Sequence, residues 1–197
     1  MKVASVVLAA GSSIRFGGAK QLAGLNGKPL LQYALDAAND SSVSYVFLVL
    51  GDYSDEILEK VKLGRAQVIY NPEYKTGIAS SVRAGVNNLP DDTTGTIIMV
   101  ADQPYLKKEH LEKMIEEFEA DGGTKIVTLS HHGEARNPAL IPRGLFPKLN
   151  ELSGDSGARD LVKKSDQLSL LEVDDPAVFS DVDTQSTLMD LGNQTPK

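Results

Sequence analysis

Over the first 130 residues, short apolar runs rich in β-branched residues alternate with helix-patterned stretches, and this rhythm restricts the chain to an open α/β sheet. Val3 to Leu8 reads as a buried strand, followed by a glycine-rich turn. Pro29 opens a helix through about Ala38, at the first helical position where a missing N–H costs nothing. Tyr45 to Leu50 is a second strand, Ser54 caps a helix to about Leu63, and Gln67 to Tyr70 is a third strand ended by Asn71-Pro72. Ile78 to Asn87 fits a helix and Thr96 to Val100 a fourth strand. Lys107 to Ala120 is amphipathic, with Leu111, Met114, Ile115 and Phe118 on one face. The expected architecture is a Rossmann-like three-layer α/β/α arrangement around an open, mostly parallel sheet.

Beyond residue 130 the alternation breaks. Lys125 to Ser130 and Ala139 to Ile141 read as strands around a loop from His131 to Pro138, and this region is where an antiparallel strand is expected. Pro142 to Leu149 and Gly157 to Lys164 read as short helices, Leu168 to Val173 and Val178 to Val182 as short strands. Thr184 caps a final helix to about Leu191, and Gly192 to Lys197 reads as a frayed tail. In sheets of this kind ligands sit beyond the carboxyl ends of the strands. The loops Ala9–Gln21 and Ala101–Pro104 both follow strand ends, so they are expected to meet.

Composition removes several classes. The balance of 20 basic against 27 acidic residues, net −7, argues against a nucleic-acid binder. Without cysteine there is no disulfide, thiolate metal site or catalytic thiol. The opening MKVASVVLAAG is too short an apolar run for a signal peptide, and no stretch suits a bilayer span. The expectation is a soluble cytoplasmic protein with no membrane partner. Charge is unevenly placed: Lys2, Arg15, Lys20 and Lys28 precede the first acid, Asp36. An acidic chain that begins without carboxylates suits an anion site near its start.

The segment Leu8-Ala9-Ala10-Gly11-Ser12-Ser13-Ile14-Arg15-Phe16-Gly17-Gly18-Ala19-Lys20 carries the chemistry of such a site. Small residues let backbone N–H groups approach phosphate oxygens, the serines add hydroxyls, and Arg15 and Lys20 add positive charge. The Walker loop is excluded, because Lys20 lies between Ala19 and Gln21 rather than after Gly and before Ser or Thr. The dinucleotide fingerprint is excluded by the spacing of Gly11, Gly17 and Gly18. The order Leu-Ala-Ala-Gly, Ser, Arg, Gly, Lys resembles the loop of the NTP transferases, and Gly27-Lys28-Pro29-Leu30-Leu31 is similar to the segment that follows it there. The resemblance implies the nucleotide-diphospho-sugar transferase-like version of the fold. It also implies one domain, with a nucleotide-binding half over 1–130, an acceptor-side half over 131–192 and a tail over 193–197.

Two later segments fit that resemblance. Val100-Ala101-Asp102-Gln103-Pro104 puts an acid at a strand end, suited to a hard cation, although such an aspartate alone also caps turns. It resembles the family's magnesium-binding Asp-Gln-Pro motif. Asp181-Val182-Asp183-Thr184 reads by itself as a helix cap. In the family a second Mg²⁺ carboxylate comes from here, with Asp183 the better aligned and Asp181 open. Tyr74 to Gly85 is similar to a nucleotide-contacting Gly-x-x-x-Ser segment, and equally fits a closely packed helix start. Asn137-Pro138 and Gly154-Asp155-Ser156-Gly157-Ala158-Arg159 resemble acceptor-side segments of molybdenum cofactor cytidylyltransferases, MobA-like members of the family; Arg136 stands where relatives often carry Gly. His131-His132, with only His110 besides, reads as a solvated loop rather than a metal cluster.

The resemblance therefore implies a Mg²⁺-dependent nucleotidyltransferase. Arg15, Lys20 and Asp102 are the expected catalytic residues, and Asp102 and Asp183 the metal ligands. Leu8, Ala9, Ala10, Gly11, Ser12, Ser13, Arg15, Lys20, Gly77, Ser80 and Ser81 are expected to bind nucleotide. Asn137, Pro138, Gly154, Asp155 and Arg159 are expected on the acceptor side. Ala10, where guanylyl relatives tend to carry Gly, points to CTP with a molybdopterin-type cofactor as acceptor and a xanthine dehydrogenase-type apoenzyme as recipient. Three alternatives stay open: a GTP-dependent guanylyltransferase, a sugar- or alditol-phosphate nucleotidyltransferase, and a non-catalytic cofactor chaperone.

Overall fold

The computed structural model describes residues 1–13 and 16–193. The first half comprises β1 (Val3–Leu8), β2 (Gly24–Leu25), β3 (Lys28–Pro29), α1 (Leu30–Asp40), β4 (Tyr45–Leu50), α2 (Ser54–Lys60), β5 (Gln67–Tyr70), α3 (Ile78–Asn87) and β6 (Gly95–Val100). The second comprises α4 (Lys108–Ala120), β7 (Ile126–His131), β8 (Glu134–Pro142), α5 (Phe146–Asn150), α6 (Ala158–Lys163), β9 (Leu168–Glu172) and α7 (Gln185–Asn193). One seven-stranded sheet runs β5-β4-β1-β6-β8-β7-β9, and β2 and β3 form a separate small hairpin. All large-sheet pairings are parallel except those of β8, which runs antiparallel to both β6 and β7. The expected three-layer, mostly parallel architecture with an antiparallel strand is what forms.

The two-residue period of β1 decides the layers. Val3 and Val7 face a core shared with Leu31, Leu35, Met114 and Phe118 of α1 and α4. Ala4, Val6 and Leu8 face a second core shared with Val82 and Val86 of α3 and Phe146, Leu149, Leu161 and Val162 of α5 and α6. Strands covered on both faces read as unbroken apolar runs, which is why they were visible in the sequence. The apolar face of α4 is buried throughout, as its spacing required.

Several local expectations are corrected. His131 to Pro138 is not a loop: β8 begins at Glu134 and pairs with β7 through His131–Glu134, leaving His132 and Gly133 as the turn. Ladder bonds to β7 override the polar composition of the strand's first residues. Val178 to Val182 is not a strand; Pro176–Phe179 is a single 3₁₀ turn that Asp175 caps by accepting from the Ala177 N–H at 2.9 Å. Pro29 precedes α1 and closes the β2–β3 hairpin. Ser54 is the first residue of α2 rather than its cap, and its Oγ donates to the Gly51 carbonyl at 2.7 Å. That helix stops at Lys60, before Leu63. Thr184 does cap α7, accepting from the Thr187 N–H at 3.2 Å. No helix among the described residues is long and apolar enough to cross a membrane.

The chain between α1 and β4 is held by one guanidinium. Arg65 donates to the carbonyls of Asn39, Val43, Ala38 and Ser41, at 3.1, 2.5, 3.2 and 2.7 Å. Arg65→Ala is expected to destabilise the fold by about 1–2 kcal/mol, reduced from a fully buried charged case because the side chain meets solvent. A denaturant midpoint unchanged from the parent would contradict this.

Candidate active site

β1 and β6 are adjacent and parallel, with Leu8 opposite Val100, so both chains leave the sheet at the same end. After Leu8, Ala9 still donates its N–H to Val49 at 2.9 Å, and the Ala10 carbonyl accepts from Asp52 N–H at 3.2 Å. Only then does the backbone turn away. It returns in a 3₁₀ turn, Lys20–Leu22, which brings Lys20 beneath the loop. After Val100 comes Asp102. The two loops do meet: Lys20 Nζ stands 2.6 Å from Asp102 Oδ2.

Asp183 completes the floor. The Val182 N–H donates to the Asp102 carbonyl at 3.1 Å, which docks the segment before α7 against the end of β6. Asp183 Oδ1 then lies 3.2 Å from the same Lys20 Nζ. Asp181 turns elsewhere and accepts from Gln103 Nε2 at 2.8 Å. Burial, and then the nearby Asp102 charge, push the Asp181 carboxyl above its ordinary range. Burial pulls the Lys20 ammonium down, but Asp102 and Asp183 outweigh it and leave the lysine raised and firmly protonated.

These groups line a cleft of about 800 Å³. It is lined by Leu8 to Ser13 with Phe16, by Tyr74 to Ile78 with Ser81, at the start of α3, and by Asp155. Lys20, Asp102 and Asp183 lie along it. Of the residues expected to bind nucleotide, Leu8, Ala9, Ala10, Gly11, Ser12, Ser13, Lys20, Gly77 and Ser81 line the cleft. Ser80 does not: it is buried, donating to the Gly77 carbonyl at 2.8 Å and accepting from Asn71 Nδ2 at 2.8 Å. Arg15 lies outside the described residues.

The acceptor-side residues divide. Asp155 lines the cleft, and the Gly154 carbonyl supports it from behind by accepting from the Ala79 N–H at 3.1 Å. Asn137 and Pro138 lie within β8, and Arg159 is exposed on α6; none of the three is on the cleft wall. The acid-free opening of the chain is also only partly a cation site. Lys2 pairs with Asp92, and Lys28 with Asp36 at 2.5 Å, both away from the cleft. Sequence reasoning missed Gln21, Tyr74, Lys75 and Thr76. The last three belong to the Tyr74 to Gly85 segment, whereas nothing in the sequence marks Gln21 as buried.

Asp102 Oδ1 is buried and has no hydrogen-bond partner among the described residues. A buried carboxylate oxygen left unpaired is costly. With Asp183 alongside and a lysine already drawn between the two, the donor set fits a hard divalent cation. Among the described residues no group of three or more His, Asp or Glu side chains could enclose a metal. A cation held here would draw its remaining ligands from water or from substrate oxygens, as Mg²⁺ commonly does at phosphate sites.

An open α/β sheet with a small-residue loop, a lysine and two carboxylates at its topological switch defines a protein of the nucleotidyltransferase class. Residues 5–169 match the MobA-like NTP transferase domain, and the chain belongs to that family. It is 29% identical over 196 residues to the purine catabolism protein PucB of Bacillus subtilis (strain 168), covering 91% of this chain and 90% of that one. It is 28% identical over 167 residues to the bifunctional protein GlmU of Acholeplasma laidlawii, of which it spans only 36% while 83% of this chain is covered. The crystal structure of Rv0371c from Mycobacterium tuberculosis H37Rv superposes with a TM-score of 0.87 at 29% identity, covering 98% of this chain and 99% of that one. A structure of Rv0371c in complex with manganese matches with a TM-score of 0.81 at 25% identity, over 99% of this chain and 100% of that one.

Proposed function

We propose that the chain transfers a cytidylyl group from CTP to the phosphate of a molybdopterin-type acceptor, with release of pyrophosphate. An acceptor phosphate oxygen attacks the α-phosphorus; the new P–O bond forms as the bond to the β-phosphate bridging oxygen breaks. Such chemistry depends on positioning and charge neutralisation rather than on a covalent protein nucleophile. The observation that carries the reading is Lys20 Nζ held 2.6 Å from Asp102 and 3.2 Å from Asp183 on a cleft walled by the loop after β1.

Asp102 and Asp183 are the residues that would hold a divalent cation; the manganese complex of Rv0371c supports divalent metal use in such a protein. Such an ion, when bound, neutralises phosphate oxygens and polarises phosphorus. The chain's own groups do the rest. Lys20 offers a fixed positive charge to the departing pyrophosphate, an effect worth on the order of 3 kcal/mol for a preorganised donor. Arg15 adds a second cation in the same role. Backbone N–H groups of Gly11 to Ser13 and the serine hydroxyls bind phosphate. The Ala10 methyl narrows the wall where the base enters and favours a pyrimidine. Asp155, which also lines the cleft, orients the acceptor. The name of PucB, with which this chain aligns almost end to end, fits delivery of the product to an oxidoreductase of the xanthine dehydrogenase type.

The test is pyrophosphate release with each of four nucleoside triphosphates and Mg²⁺ or Mn²⁺, with and without the pterin acceptor. CTP is expected to exceed the others at least tenfold, and only with acceptor present. Faster turnover of GTP or UTP rejects the cytidylyl assignment. Acceptor binding without any pyrophosphate assigns the protein to carriage of the cofactor instead.

A further inference from the structure

We infer that Gln21 is a positioning residue that turns the loop after β1 into a strip of hydrogen-bond donors, built for a ligand edge made of acceptors. The inference rests on the transfer reading above. Gln21 is buried, with only 4% of its surface exposed. Its Nε2 donates to two carbonyls at once, Ala9 at 3.0 Å and Gly11 at 2.7 Å. Its Oε1 accepts from Ser13 Oγ at 3.3 Å. The carbonyl between them, Ala10, accepts from the Asp52 N–H at 3.2 Å.

Three consecutive carbonyls along the cleft wall are thus satisfied by the protein. On the donor side, the Ala9 N–H is taken by Val49. Among the described residues, the N–H groups of Ala10, Gly11, Ser12 and Ser13 have no protein acceptor. A carbonyl left free on this wall would repel phosphate oxygens and would compete for the donors of the wrong base edge. With these three carbonyls tied, the stretch from Ala9 to Gly11 is one-sided in polarity. Such a strip recognises acceptors: phosphate oxygens, or the ring nitrogen and carbonyl oxygen of a pyrimidine such as cytosine. One amide side chain, reaching from the residue after Lys20, therefore couples the position of the lysine to the polarity of the loop above it.

Two substitutions separate positioning from packing. Gln21→Met keeps length and burial but cannot donate. It is expected to weaken CTP binding at least tenfold while the unfolding midpoint stays near that of the parent. Inorganic triphosphate and cytidine, titrated separately, report which set of acceptors the strip holds: whichever loses affinity is the edge it reads. Gln21→Glu is isosteric, and its carboxylate cannot donate at neutral pH. A carboxyl buried among carbonyls takes up a proton readily, so by about pH 5 it regains one donor. The loss of CTP affinity relative to the parent at the same pH is then expected to shrink.

CTP binding by Gln21→Met equal to that of the parent overturns the inference. So does a Gln21→Glu deficit that ignores pH, or failure of both variants to fold, since the side chain would then be a core element only. No CTP binding by the unmodified chain overturns the transfer reading itself, a result distinct from equal binding by parent and variant.

Discussion

Asp102→Asn is expected to lower pyrophosphate release at least a hundredfold while leaving the protein folded. The carboxylate does two things in the cleft. Its Oδ2 holds Lys20 Nζ at 2.6 Å, and its Oδ1 is buried and has no hydrogen-bond partner among the described residues, a place a cation would fit. An amide of the same shape removes the charge from both tasks and sets an NH₂ group against either the ammonium or the ion. Loss of one preorganised charge at a phosphoryl centre costs about 3 kcal/mol in the barrier, which is roughly a hundredfold in rate. The fold should tolerate the change, because Lys20 keeps Asp183 at 3.2 Å and the Val182-to-Asp102 bond runs through the backbone. Turnover is measured beside Mn²⁺ binding by electron paramagnetic resonance. Both should fall together with an unchanged melting curve. Activity within threefold of the parent would remove Asp102 from the mechanism.

Gly77→Ala is expected to be the most damaging single methyl in the cleft. Gly77 has φ +109°, a region L residues rarely enter. An added Cβ would overlap the backbone carbonyl of Gly154 and stand 2.9 Å from Asp155 Oδ1. Neither the carbonyl nor its bond from the Ala79 N–H can yield without parting the two loops that hold Asp155 against α3. Backbone strain plus the displaced contact amount to about 3–5 kcal/mol. The informative control is Gly11→Ala, whose Cβ meets nothing within 4 Å. Its effect on stability is expected within about 0.5 kcal/mol. Denaturant midpoints check both. The space at Gly11 is open in the protein alone, so any loss there should appear in nucleotide affinity. A midpoint for Gly77→Ala close to that of the parent would show that the Gly154 loop moves aside freely.

The two glycines illustrate what was legible. The sequence marked Gly11 by its motif and Gly77 only weakly, since a helix start with small residues is common. The structure reverses the packing argument: Gly77 is the one demanded by neighbouring atoms. Similarly, the four early cations looked like one anion site, yet Lys2 and Lys28 each find a surface carboxylate. Lys20 alone of the described ones enters the cleft. Charge along a chain says nothing about which acid a long side chain will reach after folding.

The elements themselves were open to reading wherever the cause is local. β1 and β4 are apolar because both faces are covered, and α4 repeats its apolar residues at the helical period because one face is. The loop with Lys20 and the aspartate after β6 were visible for the same reason: strand ends and small residues are properties of a few neighbours. What folding alone decided depends on residues far apart. β8 becomes an antiparallel strand because β6 and β7 offer it ladders on both sides. Gln21 acquires a role because two carbonyls curl over it. Asp183 rather than Asp181 reaches the lysine, across 163 positions, because one bond from Val182 to Asp102 sets how that segment lies. Periodicity is written residue by residue, but a hydrogen bond between distant segments exists only once the sheet order has brought them within 3 Å or so of each other.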